Sequence, residues 1–328
     1  MQTKAPDIKK STSPKIINPT IFGILLAASS ALFFGIGAPV TKALASADMT
    51  ALQIMQARMT VAALLLLLLV LFKYPKQLLV ARSEWLMLIS FGLLAFCVNQ
   101  FLYTVAVSRV PVGIALLLEY LAPVLIILWI RFVRKTSFPP AIWVGVASVL
   151  IGLFMVGEAW SGFHLDVIGV VAGLGTAIAL AARFLLSEHG LKTHKPLVLT
   201  ALGTSIGSIA LNILSPITSF PWLSVVHDVA LIGDLYIPLW VLLIWLSVVS
   251  TVFAYLAGIT AQQYLAPAVV SQIATLEVIF ATVFAALLLS ENLSVIQVIG
   301  AIIMLTGILL AQFMVAKYKA RRLIKQQI

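Results

Sequence analysis

Charge is what this sequence has least of. Asp, Glu, Lys and Arg make up 10% of 328 residues, and 11 acids face 21 basic residues. Soluble domains carry about 25% charged residues, so an ordinary water-soluble fold is excluded. Cysteine occurs once, at Cys97 inside an apolar run. That excludes an intramolecular disulfide and a cysteine-based metal site. No Gly-Lys dipeptide is present, so the chain holds no P-loop and is no ATP-driven pump by itself. HExxH is absent, His189 and His194 lie in a basic loop, and no acid and histidine constellation suggests a hydrolase. An enzyme, a cofactor and a metal are therefore not expected. The formal charge of +10 would suit nucleic acid, but Lys and Arg cluster in short segments between apolar runs. That is a topology signal, and no nucleic-acid partner is expected.

What is abundant is apolar: 62% of the residues, gathered in ten runs long enough to cross a bilayer. They cover about 20–43, 50–72, 84–107, 110–131, 139–157, 166–187, 197–217, 238–260, 267–289 and 295–316. Residues 1–19 are polar, with Pro6, Pro14 and Pro19 and four lysines, and read as a disordered tail. Residues 317–328 read as a basic tail. Residues 218–237 form the one long connection and are expected to hold a short interfacial helix anchored by Trp222. Placing the N-terminus in the cytoplasm puts 18 of the 21 Lys and Arg on that side, Arg183 among them as part of a basic loop. Lys42, Arg58 and Arg109 fall near the outer ends of spans.

Sliding the chain on itself reveals a repeat. At an offset of 155, Gly145 falls on Gly300, Gly152 on Gly307 and Ala106 on Ala261; at 146, Gly23 falls on Gly169 and Ser30 on Thr176. Two halves follow, 20–157 and 166–316, each with five spans. Five is odd, so the second half enters the membrane from the opposite side. The expected fold is an all-α integral membrane protein of ten transmembrane helices in two inverted five-helix repeats, an architecture that places a binding site near the midplane between halves.

Against that background the acids inside the runs stand out. Glu119 lies nine residues into 110–130 (VPVGIALLLEYLAPVLIILWI), roughly 13 Å deep at about 1.5 Å per residue. Glu277 lies at a similar depth in 268–290. Intramembrane acids are functional candidates by default, although a protonated packing residue is the alternative. Desolvation penalises a charged carboxyl, which suits proton exchange. Tyr120 and Pro123 follow Glu119, and proline removes a backbone donor, leaving a carbonyl available. Arg58 either snorkels to the outer surface or pairs with a carboxylate. Asn99, Gln100, Tyr103 and Thr104, then Ser250, Thr251 and Tyr255, then Ser271, Gln272 and Thr275 form polar stripes, suited to ligand contact or to interhelical bonding. Gly35, Gly37 and Pro39 predict a break or hinge in the first span, or else close packing. Gly203 and Gly207 read as a packing face.

The stretch 253–309 (FAYLAGITAQQYLAPAVVSQIATLEVIFATVFAALLLSENLSVIQVIGAIIMLTGIL) resembles the closing block of the EamA-type transporters of the drug/metabolite transporter superfamily. Leu276-Glu277, Ser290-Glu291-Asn292, Gly300 and Gly307 occupy the places of its acidic element, acidic turn and last helix. LEYLAP, 118–123, carries a related element in the first half. Two departures are visible: Val278 stands where the family usually has proline, which argues against a kinked ninth helix, and Glu119 sits three positions before the register of Glu277. The resemblance implies a multi-pass secondary transporter of the bacterial inner membrane, moving small metabolites such as amino acids, often outward, by alternating access. Glu119 and Glu277 would couple protons or bind cargo. A passive facilitator, a lipid-processing enzyme and a structural membrane partner are the alternatives. The expected partners are a small-molecule cargo and the lipid bilayer, with self-association left open.

Overall fold

The computed structural model describes residues 18–47, 49–132, 140–156, 165–216, 218, 220–232, 235–265, 267–291 and 293–327. Backbone groups in hydrocarbon must pair within their own segment, and the apolar runs accordingly form helices: α1 Pro19–Ser46, α2 Ala51–Lys73, α3 Arg82–Arg109, α4 Val112–Glu119, α5 Ala122–Phe132, α6 Pro140–Val156, α7 Val167–Gly190, α8 Pro196–Leu214, α9 Leu239–Tyr264, α10 Pro267–Ala274, α11 Leu276–Leu289 and α12 Val295–Gln327. Six of them (α1, α2, α3, α7, α8 and α9) are each long and apolar enough to span a bilayer, and α6, α11 and α12 hold shorter apolar stretches. Polar side chains start several helices by satisfying free N–H groups. Asn18 caps α1, Thr50 and Gln53 form a reciprocal box on α2, and Asp166 accepts from Gly169 at the start of α7.

Four local features differ from the sequence reading. The run 110–131 is broken at Tyr120–Leu121, because Pro123 has no N–H to offer the Glu119 carbonyl one turn back. The run 267–289 is broken at Thr275 although its one proline, Pro267, stands at the start of the run, so the valine at 278 does not keep this helix whole; Val278 N–H donates to the Thr275 carbonyl at 3.1 Å. The connection 218–237 holds, besides a single 3-10 turn Ser224–Val226 just after the exposed Trp222, an antiparallel hairpin, β1 Asp228–Ile232 with β2 Leu235–Pro238, that the sequence did not suggest. Conversely, α1 runs unbroken through Gly35, Gly37 and Pro39. Its two glycines serve close approach, Gly35 to α11 and Gly37 to Ser250 of α9. The basic residues after 316 continue α12 as helix to Gln327, while the N-terminal tail 1–17 lies outside the described residues.

The two halves contact each other reciprocally. Gly145 of α6 lies against Gly307 of α12, and Gly152 lies against Gly300, so two equivalent helices cross antiparallel at their glycines. Gly23 of α1 meets Leu265 after α9, and its counterpart Gly169 of α7 meets Val110 after α3. Ser30 donates to the Ala254 carbonyl at 2.7 Å, and the Thr176 carbonyl accepts from Asn99 at 3.2 Å. Both breaks, at Tyr120 and Thr275, fall 155 residues apart. So do the two π-helical turns, Gly92–Val98 in α3 and Val248–Phe253 in α9, to within a residue. One apolar cluster joins α2, α3, α8 and α9, and a second joins α4, α7, α11 and α12.

The glycine crossing predicts a local asymmetry of tolerance. A Cβ on Gly152 would lie 2.6 Å from the Gly300 carbonyl oxygen and from Met304 N, backbone atoms that cannot yield, whereas one on Gly175 meets only the Leu102 side chain. Gly152→Val is expected to cost about 1–3 kcal/mol through overpacking, read as a lowered Tm of the detergent-solubilised protein. Gly175→Ala should leave Tm nearly unchanged.

Candidate functional site

The irregular turns place the polar side chains. A π-helical turn widens the helix and leaves carbonyls free of their usual partners, and carbonyls in or directly beside these turns bind side chains from other helices. Ala95 O accepts from the Tyr255 hydroxyl at 3.4 Å, Ala254 O from Ser30, and Ser250 O from Arg58 Nη2 at 2.8 Å. Arg58 also donates through Nε to Thr251 Oγ1 and through Nη2 to Ser250 Oγ at 3.3 Å. A buried cation on α2 is thereby fastened to the π turn of α9.

The helix breaks place the two acids. Glu119 ends α4 and Glu277 lies in the first turn of α11, where a helix N-terminus favours negative charge. Asn99 Nδ2 donates to Glu119 Oε1 at 3.2 Å, and Gln100 Nε2 donates to Asn99 Oδ1 at 3.1 Å. The Tyr120 hydroxyl donates to Glu277 Oε2 at 2.8 Å. Each acid is therefore held by a neutral donor from the first half. Arg183 of α7 reaches the same space, its guanidinium 5.2 Å from the Phe184 ring, 5.4 Å from Tyr255 and 5.9 Å from Phe34. Among the described residues, neither arginine has a carboxylate within 4 Å.

These groups wall two adjoining chambers. A polar one is bounded by Arg58, Gln100, Tyr103, Glu119 and Ser250, and a more apolar one by Ala27, Ala31, Phe184, Ile259 and Val270; Phe34, Tyr120, Arg183 and Glu277 border both. The polar chamber has room for about one water molecule. Beyond it, at the ends of α1 and α11, Lys42 pairs with Glu291 and donates to Val110 O at 3.1 Å, while Glu291 accepts from Val112 N at 3.0 Å. One ion pair thus ties α1, α11 and the start of α4 on the face that carries the hairpin. On the opposite face, Ser187 of α7 donates to Gln262 of α9 at 3.0 Å, and Phe22 meets Tyr264 edge-on.

The family described as "EamA-like transporter family" matches residues 21–157 and again 167–313. The chain belongs to this family. Its members transport small molecules across membranes and are not enzymes, and the EamA chain here is a two-repeat, predominantly helical, multi-pass membrane protein in contact with lipid. A solved structure titled only "Crystal structure of protein" superposes with a TM-score of 0.54 at 19% identity, covering 93% of this chain and 97% of that one; the likeness speaks to the fold alone. No curated protein matches the chain.

Within this EamA fold, Glu119, Glu277, Tyr120, Arg58, Gln100 and Tyr103 converge on the polar chamber and Tyr255 on its neighbour, while Asn99 stands behind Glu119. Gly37 lines the polar chamber, and Gly35 and Pro39 do not. Thr275 is buried at the second break and borders neither chamber. The side chains of Pro123 and Gln272 lie outside the described residues. Arg58 is 2% exposed and anchored to α9 through Nε and Nη2, with no acid within 4 Å among the described residues, so it does not snorkel to the surface. Arg183 is the residue that sequence reading misplaced. It stands seven residues before the end of α7, about 10 Å inside at 1.5 Å per residue, and counting it with the basic loop hid its depth.

The Lys42–Glu291 pair predicts controlled access from its own face. In a Cys97→Ala background carrying Ala38→Cys, which reports from the polar chamber, Lys42→Ala should raise labelling by a membrane-impermeant maleimide applied to the hairpin face. The exchanged pair Lys42→Glu with Glu291→Lys should lower it again. Labelling indifferent to all three would remove the pair's sealing role.

Proposed function

We propose that this EamA protein is a secondary active transporter that carries small polar metabolites, amino acids or their relatives, across the bacterial inner membrane by alternating access with proton coupling. The observation that carries the reading is the meeting of Glu119 and Glu277 at two symmetry-related helix breaks. Both face one chamber between the halves, and each is bonded to a neutral donor instead of a cation. An intramembrane carboxyl without a salt-bridge partner is suited to alternate between holding a proton and holding a cationic group of the cargo, since desolvation penalises the bare charge.

The antiparallel crossing of α6 and α12 supports ten helices in two inverted five-helix repeats, spanning 20–157 and 166–316. The basic residues at both ends of the chain support cytoplasmic termini. On that orientation the Lys42–Glu291 pair closes the outer side, and the apolar chamber lies toward the cytoplasm, where an exported metabolite would enter. Movement outward is the direction that the family resemblance favours.

The test is transport by the purified full chain in proteoliposomes, with a panel of labelled metabolites and with or without an imposed pH gradient. A gradient should accelerate movement of the accepted cargo, and Glu119→Gln should abolish that acceleration, with at least about a tenfold loss of rate, equivalent to about 1.4 kcal/mol. Equal rates with and without the gradient would reduce the protein to a passive facilitator. Movement of no metabolite at all would remove transport by this chain.

A further inference from the structure

Among the described residues, Arg58 and Arg183 are both without a carboxylate at ion-pair distance, and of the two only Arg183 borders both chambers. Arg58 is anchored through Nε and Nη2 to Thr251 and Ser250. Arg183 lies against the aromatic rings of Phe34, Phe184 and Tyr255. Those faces orient a guanidinium and attract it, but they do not neutralise it or occupy its five donors. With no carboxylate in ion-pair range among the described residues, a charge this far inside a membrane lacks the partner such charges are normally found with. It also borders both chambers, so a group bound to it is in reach of each.

Two further atoms are incomplete, and both face the polar chamber. Gln100 Oε1 and the Tyr103 hydroxyl are buried and have no hydrogen-bond partner. The Gln100 amide is fixed in orientation, because its Nε2 already donates to Asn99 Oδ1. Its oxygen can only accept, and it stands beside the Asn99 that holds Glu119. An acceptor next to a carboxylate is the surrounding that an ammonium group requires. The second chamber offers Ala27, Ala31, Ile259 and Val270 beside the neutral polar Ser30, Ser187, Tyr255 and Gln262, and among the described lining residues only Glu277 and Arg183 carry charge.

We propose that Arg183 is the anion-binding, specificity-determining residue of the cargo site, and that the cargo is a zwitterion with an uncharged aliphatic substituent. Its carboxylate goes to Arg183, whose fork matches a carboxylate in two-point geometry. Its ammonium goes to Glu119 and Gln100 Oε1, and its side chain enters the apolar chamber. This rests on the transporter reading above and adds which end of the cargo each residue takes.

The experiment uses L-leucine as probe, with the full chain in proteoliposomes and labelled-leucine counterflow as readout. The competitors are unlabelled leucine, 3-methylbutylamine, which lacks the carboxylate, 4-methylpentanoate, which lacks the amine, and lysine and glutamate, whose side chains carry charge. Leucine should compete at least about tenfold better than either one-ended analogue and better than the two charged amino acids. Arg183→Gln should weaken leucine by at least that factor while leaving the weak competition by 3-methylbutylamine unchanged, and Arg183→Lys should fall between. Equal loss for leucine and the amine would mean that Arg183 is a packing residue, overturning the proposal. So would equal competition by leucine and the amine in the unsubstituted protein, a measurement that needs no variant to fold. Movement of other metabolites but not leucine, insensitive to Arg183→Gln, would sink this proposal and spare the transporter reading; movement of nothing would sink both.

Discussion

Four ionisable side chains share one water-poor space between the halves of this protein, and among the described residues no two of them touch as an ion pair. Each costs about 2.5–3.5 kcal/mol at a helix centre on insertion scales, a large sum beside the usual 5–15 kcal/mol of net stability. The fold sets dipoles at hydrogen-bond distance and leaves the opposite charges to act across the chamber. A carbonyl of the α9 π turn faces Arg58, the Asn99 amide faces Glu119, and the Tyr120 hydroxyl and the first turn of α11 face Glu277. That arrangement keeps these charges solvated without locking them into ion pairs.

Small residues make the arrangement affordable in space. Gly35 and Gly37 let α1 lie against α11 and α9 at the level of the chamber, and Gly113 brings α4 against Thr282. The same approach that seals the hairpin side sets the acids on facing walls. Packing and chemistry are therefore one constraint: a side chain added at Gly35 or Gly113 would press on α11, the helix that carries Glu277, and one at Gly37 on the Ser250 that holds Arg58.

Much of this was legible because hydrocarbon makes polar residues conspicuous. Glu119, Glu277, Asn99, Gln100 and Tyr103 could be read as anomalies in apolar runs, and the glycine pairs of α6 and α12 as a repeat. Arg183 could not, since a charge within two turns of a basic loop satisfies the topology rule before its depth is asked. The break at Tyr120 had its cause in Pro123, whereas the break at Thr275 had no proline to announce it. The π turns left no mark, because Gly92–Val98 and Val248–Phe253 have the composition of ordinary helix. The hairpin at 228–238 lay in a connection whose apolar residues fit a helix equally well, and strand pairing across a short turn is a tertiary outcome.

The reciprocal contacts carry a consequence for motion. The equivalent helices α1 and α7 are held in unlike ways, α1 by an ion pair to Glu291 just after α11 and α7 by a hydroxyl-to-amide contact with α9. If the halves trade arrangements, the result is a second shape of the same molecule, shut where the first is loose, and it calls for no kind of contact that the first does not already use. A single snapshot then describes both ends of the stroke, and the differences between counterparts are its itinerary.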